Sequence, residues 1–207
     1  MDIILASESK YKKKLLLRIL NEFYQIAPDI NETPDPGESA PDLAIRLALQ
    51  KGVTLLENNS DSIIISSDQV AEINGELILK PSSKQQATEQ LKKQSGNKVI
   101  FYTCLCVTKL GPKKGLVQYH KLDITKVKFR HLSHEQIDSY LAWDKSYSST
   151  GSFKAESKGI ALFEEITSKD PTALMGLPLI DLVSILTKLK VNIFCLLYTS
   201  DAADELR

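Results

Sequence analysis

Two long strand-like stretches, 98–109 and 116–130, are separated only by the Gly111-Pro112 break. Strands of that length on either side of a turn signal predict a hairpin, and so an antiparallel element at the centre of the sheet. The chain opens in a different way. Ile3-Ile4-Leu5-Ala6 is a short continuous apolar run, which suits a buried strand, and Ser7-Glu8-Ser9 offers helix caps. Tyr11, Leu15, Leu16, Ile19, Leu20 and Phe23 then recur at the spacing of a helix with one buried face. Strand, tight loop and helix predict a crossover. Hairpins and crossovers in one chain predict a mixed α/β sheet with flanking helices rather than a purely parallel one.

The intervening segments fit that class. A second helix is predicted from about Ser39 to Glu57, with Leu43, Ile45, Ala48, Val53 and Leu56 inward. Ile63-Ile64-Ile65 marks a buried strand over 62–67, and Asn74-Gly75 marks a hairpin within 70–79. Ser83 to Gln86 and Ser133 to Gln136 have the form of capping boxes opening further helices. A Gly-containing segment over 151–159 leads to a strand over 160–166, and Gly176-Leu177-Pro178 starts a last helix through Lys188.

Composition narrows the function. A length of 207 residues fits one domain, or two closely joined lobes. Lys and Arg number 26, as do Asp and Glu, whereas a protein gripping duplex nucleic acid through its phosphates should be basic. A small anionic ligand held by a few local lysines fits this balance. Cys104 and Cys106 alternate within an apolar run and read as buried strand residues rather than a disulfide or zinc framework, with Cys195 far from both. The first apolar stretch is too short for a signal peptide, and no run approaches the ~20 apolar residues of a membrane span, so a cytoplasmic protein is expected. The stretch NIFCLLYTSDAADELR bears no visible relation to what precedes it and resembles translated cloning or adapter sequence. The domain is therefore expected over 1–192, with 193–207 a non-native tail.

Three segments can carry chemistry. A helix N-terminus suits a phosphate, and Ser7, Ser9, Lys10, Lys12, Lys13 and Lys14 add donors and charge there; a solvated basic face is the plainer reading. There is no Walker glycine pattern. Asp68, in Ser66-Ser67-Asp68-Gln69 at the end of the isoleucine strand, can bind a divalent metal or accept a proton, or can be a simple turn residue. Gly151-Ser-Phe-Lys-Ala-Glu156 is a polar segment with a carboxylate, or an ordinary surface loop.

In order along nearly all of residues 3–189, the stretches ILASESKYKKKLL, INETPDPGES, LALQKG, IISSDQV, GELILKP, QLKKQSGNKVIFYT, VKFRHLSHEQIDSYL, GSFKAESKGIALFE and DPTALMGLPLIDL resemble the Maf family of nucleotide pyrophosphatases. The forms SDQ, GSFK-x-E and DPTAL-x-GLPL look like the branch acting on 7-methyl-GTP, since the dTTP and UTP branches show Asp-Thr where this chain has Asp68-Gln69. The resemblance implies an elongated mixed α/β fold with two lobes around a central cleft, related to inosine-triphosphate pyrophosphatases. It implies Asp68 as catalytic proton acceptor; Ser7, Lys12, Lys51 and Lys80 as phosphate-handling residues; Glu32 as a cleft carboxylate sharing a metal with Asp68; and Tyr11, Gln69 and Glu156 as determinants of base choice. Lys12-Lys13 stand where the family has two arginines, so charge is kept without the bidentate fork. Lys10 stands in place of proline, Tyr11 in place of tryptophan and Gly52 in place of alanine.

The implied reaction is metal-dependent (Mg²⁺ or Mn²⁺) attack of water at the α-phosphorus of a nucleoside triphosphate, releasing the monophosphate and pyrophosphate. The implied partner is a small nucleotide, without duplex nucleic acid or membrane, and a homodimer is the candidate assembly. Two rivals stand beside it: preference for another nucleoside triphosphate, and a nucleotide-binding regulator with little turnover.

Overall fold

In a computed structural model that describes residues 1–147 and 149–193, the chain enters as β1 (Ile3–Ala6) and turns through Ser7–Ser9 into α1 (Lys10–Leu16). It returns as β2 (Tyr24–Ile26), then forms α2 (Ala40–Asn58), β3 (Ile63–Ile73), β4 (Glu76–Ile78) and α3 (Lys84–Gln94). The long hairpin follows as β5 (Lys98–Leu110) and β6 (Leu116–Phe129), then α4 (His134–Asp144), β7 (Phe163–Thr167) and α5 (Leu179–Lys188). Short 3₁₀ turns at Thr150–Ser152, Lys158–Leu162 and Ala173–Met175 fill the connections. The sheet has the order β2-β1-β3-β5-β6-β7, with β4 also paired to β3. β1 runs parallel to both its neighbours and the other pairings are antiparallel, so the sheet is mixed.

Three of the predicted elements are drawn differently, and one is the strand expected over 160–166, which begins only at Phe163 because Lys158–Leu162 form a 3₁₀ turn. The helix expected to reach Phe23 ends at Leu16, and tighter turns from Arg18 to Leu15 and from Ile19 to Leu16 carry Leu20 into the core. The reason is length matching. Seven helical residues rise about 10 Å, close to the roughly 13 Å of the four-residue β1 they must cross back over. Residues 24–26 can then pair with β1, with Ile4 opposite Tyr24. The strand expected over 62–67 continues unbroken through Asp68 to Ile73, because β5 pairs with it from Ile64 to Glu72. Asp68 is therefore a mid-strand residue opposite Cys104 and not a strand-end one. On its other edge β3 is covered by β1 as far as Ser66 and by β4 from Ala71 onward. Between them, residues 67–70 have no strand beside them on that edge, and the site lies there.

Ser39 caps α2, whose buried stripe is Ala40, Leu43, Ala44, Leu47, Ala48, Lys51, Gly52, Leu55 and Leu56. Ile45 and Val53, expected inward, fall half a turn off this stripe and are only half-buried. The stripe covers one face of the sheet through Ile4, Ala6, Ile64, Val70, Cys104 and Cys106. The two cysteines are free and buried, as strand residues, and Cys195 lies outside the described residues. α1 and α5 cover the opposite face over Leu5, Ile63, Ile65, Leu105 and Val107. Beyond Gln69 that face is covered instead by α3 and α4, around the edge-to-face rings of Phe101, Phe129, Phe153 and Phe163.

Ser133 and Gln136 make a complete capping box. At α3 only half of one forms: Ser83 accepts from Gln86, whose own side chain turns to the Ser82 N–H and hydroxyl. Of the stretch expected to be a tail, residues 194–207 lie outside the described residues. Ile193 packs against the cluster between α1 and α5.

Candidate active site

β3 presents alternate residues to two different layers, and this alternation builds the site. Ser66 and Asp68 point toward α2: the Ser66 hydroxyl donates to Ala48 O at 2.7 Å, and Lys51 Nζ donates to Asp68 Oδ1 at 2.5 Å. Ser67 and Gln69 point the other way. The Ser67 hydroxyl donates to Gly176 O at 2.7 Å, and Gln69 Nε2 lies 2.9–3.1 Å from Thr103 Oγ1, Ala173 O and Leu174 O. The amide nitrogen of Gln69 is thereby committed to the protein.

Lys51 reaches Asp68 because α2 approaches β5 closely at the next residue. A Cβ on Gly52 would stand 2.2 Å from Thr108 Oγ1, so an alanine at this position collides with the packing. Lys51 and Asp68 are each 7% exposed. The same ammonium also meets Glu32 Oε1 at 2.6 Å, and Lys80 Nζ meets Glu32 Oε2 at 3.1 Å. Burial opposes ionisation of Glu32, but its hydrogen bonds to Lys51 and Lys80 and their charges outweigh that and bring it down to about 2. Burial likewise lowers Lys51, yet Asp68 and Glu32 together leave it raised.

The third cation is Lys12. Its Nζ donates at 2.8 Å to Ser67 O, a carbonyl on the stretch of β3 that no neighbouring strand covers on this edge. Burial is the main reason its pKa falls to about 8; Lys51 and Lys80 lower it further, while Asp68 and Glu32 act against them. Gly176, at φ +94°, lets the 173–176 turn pass close to this side chain, since a Cβ there would stand 2.9 Å from Lys12 Cε. Ser9 caps α1, donates its own N–H to Ser7 Oγ at 3.1 Å, and leaves the Ser7 hydroxyl hydrogen free to donate. Gln25 Nε2 pins this loop through Ser7 O at 2.7 Å.

At the far end lie Tyr11, 37% exposed, and Glu156. Burial raises the Tyr11 phenol, and the negative charges of Glu156 and Asp144 raise it further. Phe153 joins that end to the aromatic cluster, and Gly151, at φ +76°, makes the turn before it.

One cavity of about 720 Å³ is lined by all nine residues to which the resemblance assigns a role: Ser7, Tyr11, Lys12, Glu32, Lys51, Asp68, Gln69, Lys80 and Glu156. Lys10 and Lys14 also line it, whereas Lys13 is an exposed residue outside it. The sequence did not single out Ser67, Gly176 or the anchors of the 173–176 turn. Asp170 accepts from the Thr172 N–H and hydroxyl and from Ile180 N, and Thr172 Oγ1 ties Leu177 O to Leu179 N. Their signal was the DPTAL-x-GLPL string, whose Asp and Thr are suited to such turns.

Among the described residues no cluster of three or more His, Cys, Asp or Glu side chains could hold a metal, and no helix is long and apolar enough to cross a membrane. A divalent ion held here would have two carboxylates, Asp68 and Glu32, with phosphate and water completing its shell, a set that suits Mg²⁺. An ammonium already stands between those two carboxylates, so the spot favours a cation.

A 7-methyl-GTP pyrophosphatase of Bordetella pertussis is 44% identical over 184 residues, covering 89% of this chain and 90% of its own. One of Hydrogenovibrio crunogenus is 43% identical over 191 residues, covering 92% and 94%. Solved structures of a HAM1 protein from Coxiella burnetii and a nucleoside-triphosphatase / dITP/XTP pyrophosphatase from Mycobacterium abscessus align with 91% of this chain. They cover 99% and 100% of their own chains, at TM-scores of 0.49 and 0.45 and identities of 15% and 16%. The family profile described as Maf-like protein matches residues 2–189, and with that match the chain belongs to the Maf family.

Proposed function

We propose that this protein hydrolyses 7-methyl-GTP to 7-methyl-GMP and pyrophosphate. The observation that carries the reading is the polarity of the cavity. Lys12, Lys51 and Lys80 act on one another electrostatically, and Tyr11 and Glu156 form a second group whose members act on each other. A triphosphate attached to a cationic base has the complementary polarity. The names of the relatives support the same substrate.

Asp68 orients a water for attack at the α-phosphorus and takes its proton, while the lysines take the charge that develops on the pyrophosphate leaving group. Lys51 exchanges its carboxylate partners for phosphate oxygens as the substrate enters. Asp68 and Glu32 are the residues that would hold Mg²⁺ or Mn²⁺, which when bound offsets charge on the phosphate oxygens. The Tyr11 ring meets the N7-methylated guanine, a cation–π contact of about 0.5–2 kcal/mol. Glu156 accepts from the donor edge of the base. The amide nitrogen of Gln69 is held by the 173–174 carbonyls, so its oxygen is what it offers. A cytoplasmic nucleotide pool is the natural setting of this reading.

The test is pyrophosphate release across 7-methyl-GTP, GTP, dTTP and UTP with Mg²⁺ or Mn²⁺, in wild type and Asp68→Asn. We expect 7-methyl-GTP to lead, and the variant to fall by about 10²–10⁴ with its fold intact. Equal turnover of GTP and 7-methyl-GTP sinks the substrate assignment; near-normal Asp68→Asn activity sinks the centre.

A further inference from the structure

Glu156 lies on a loop that the last turn of α4 holds at two points on either side of it. Lys154 Nζ donates to Asp144 O at 2.6 Å, and the Ser157 hydroxyl donates to Asp144 Oδ1 at 2.7 Å. The Lys154 N–H adds a bond to the Tyr140 hydroxyl at 3.0 Å. The turn itself closes through Ser157 N and Gly159 N on Lys154 O, and a Cβ on Gly159 would stand 2.4 Å from that oxygen. One residue of α4, Asp144, thus anchors both flanks of the loop that presents Glu156.

A neutral acceptor would serve the Ser157 bond as well, and the second carboxylate oxygen of Asp144 is buried without a hydrogen-bond partner. Asp144 is the last residue of α4, where the helix dipole disfavours an anion. Among the described residues neither Asp144 nor Glu156 forms an ion pair. Glu32 and Asp68, in contrast, are both bridged by lysine. A locally unfavourable charge without an ion-pair partner among the described residues points to a function elsewhere.

We infer that Asp144 is a specificity-determining positioning residue, which holds the Glu156 loop and adds a second negative charge to the base end of the cavity, selecting a cationic base over a neutral one. This rests on the 7-methyl-GTP reading above. Its field already reaches both neighbours. The Glu156 carboxyl is raised first by burial and also by Asp144, with Lys154 acting against them, and the Tyr11 phenol is raised in part by the same charge.

Asp144→Asn separates the charge from the clamp. The amide oxygen still accepts from Ser157, and the backbone carbonyl still accepts from Lys154. Asp144→Ala removes the Ser157 bond as well. The measurement is kcat/KM for 7-methyl-GTP and for GTP in wild type and both variants, with melting temperatures. In Asp144→Asn the ratio of 7-methyl-GTP to GTP should fall about threefold to tenfold, the scale of one partly screened charge acting on a ligand cation. Asp144→Ala should lower it further. An unchanged ratio in Asp144→Asn, or a parallel fall on both substrates, overturns the role. A wild type without preference for the methylated base overturns the substrate reading instead, and is seen before any variant is made.

Discussion

Replacing Lys51 by methionine tests the electrostatic core of the site. The change keeps length and much of the volume but leaves Asp68, 7% exposed, beside no bridging ammonium. Removing one partner of a buried pair costs about 3–5 kcal/mol, because the other charge is left desolvated. The lower end applies here. Lys12 acts on Asp68 electrostatically, and the Glu32 side chain, 43% exposed, is screened by solvent and keeps Lys80. A loss of about 3 kcal/mol in a domain of this size lowers Tm by roughly 6–12 °C. Glu32 gives the sign of the pH effect. Its carboxyl is depressed to about 2, so its contribution is present above the ordinary carboxylate range and lost as pH falls toward 2. Without Lys51 that depression shrinks, and acid unfolding should begin at higher pH. Adding Asp68→Asn to Lys51→Met removes the stranded charge and should recover more than half of the loss. Urea unfolding at neutral pH, with the slope checked for constancy, measures all three variants. A Lys51→Met cost under about 1 kcal/mol, the range of an exposed pair, would refute the reasoning. A double variant no more stable than the single would refute it equally.

Lys12, lowered to about 8, carries its charge below that pH, so KM for the triphosphate should rise as pH passes upward through 8. Lys12→Arg should flatten that rise, and identical profiles for the two proteins would remove Lys12 from phosphate binding. Gly176→Ala forces a left-handed residue and a collision with Lys12 Cε, so it should cost about 1–2 kcal/mol and raise KM; an unchanged KM denies the contact. Deleting residues 194–207 should leave melting temperature and turnover unaltered, since Val191 and Ile193 already pack against the cluster between α1 and α5. A drop of several degrees would make that stretch part of the domain.

Much of the fold was legible where a residue type has a single structural use. Ser39, Ser133 with Gln136, Asn74-Gly75 and Gly176 each mark the boundary they suggest. The misses have a common cause in tertiary pairing. β2 is three residues long and its side chains are mostly exposed, so it shows neither period nor apolar run. β3 passes through Ser66, Ser67 and Asp68, which look like a strand end until β5 supplies a partner for every one of them. Ser7, Lys12, Asp68 and Glu156 could be weighed from local chemistry, but only the resemblance to a family joined the nine cavity residues into one site, because they come from separate segments that the sheet order brings together. What no motif could show is direction. That Gln69 turns to the 173–174 carbonyls while Asp68 turns to Lys51 is a fact of the pleat.

That pleat imposes an odd–even rule on the protein's capacity to change. Even positions 66 and 68 answer to α2, and odd positions 67 and 69 answer to the 173–176 turn. Substitutions on the odd side can reshape what the pocket accepts without disturbing the hydrolytic pair, and a new substrate can be acquired before the old chemistry is lost. Insertions have no such freedom. One added residue between 66 and 68 exchanges the parity of the strand beyond it, turning the carboxylate toward the turn and the amide toward Lys51, so the pocket can be reshaped by replacement here but not by lengthening the strand.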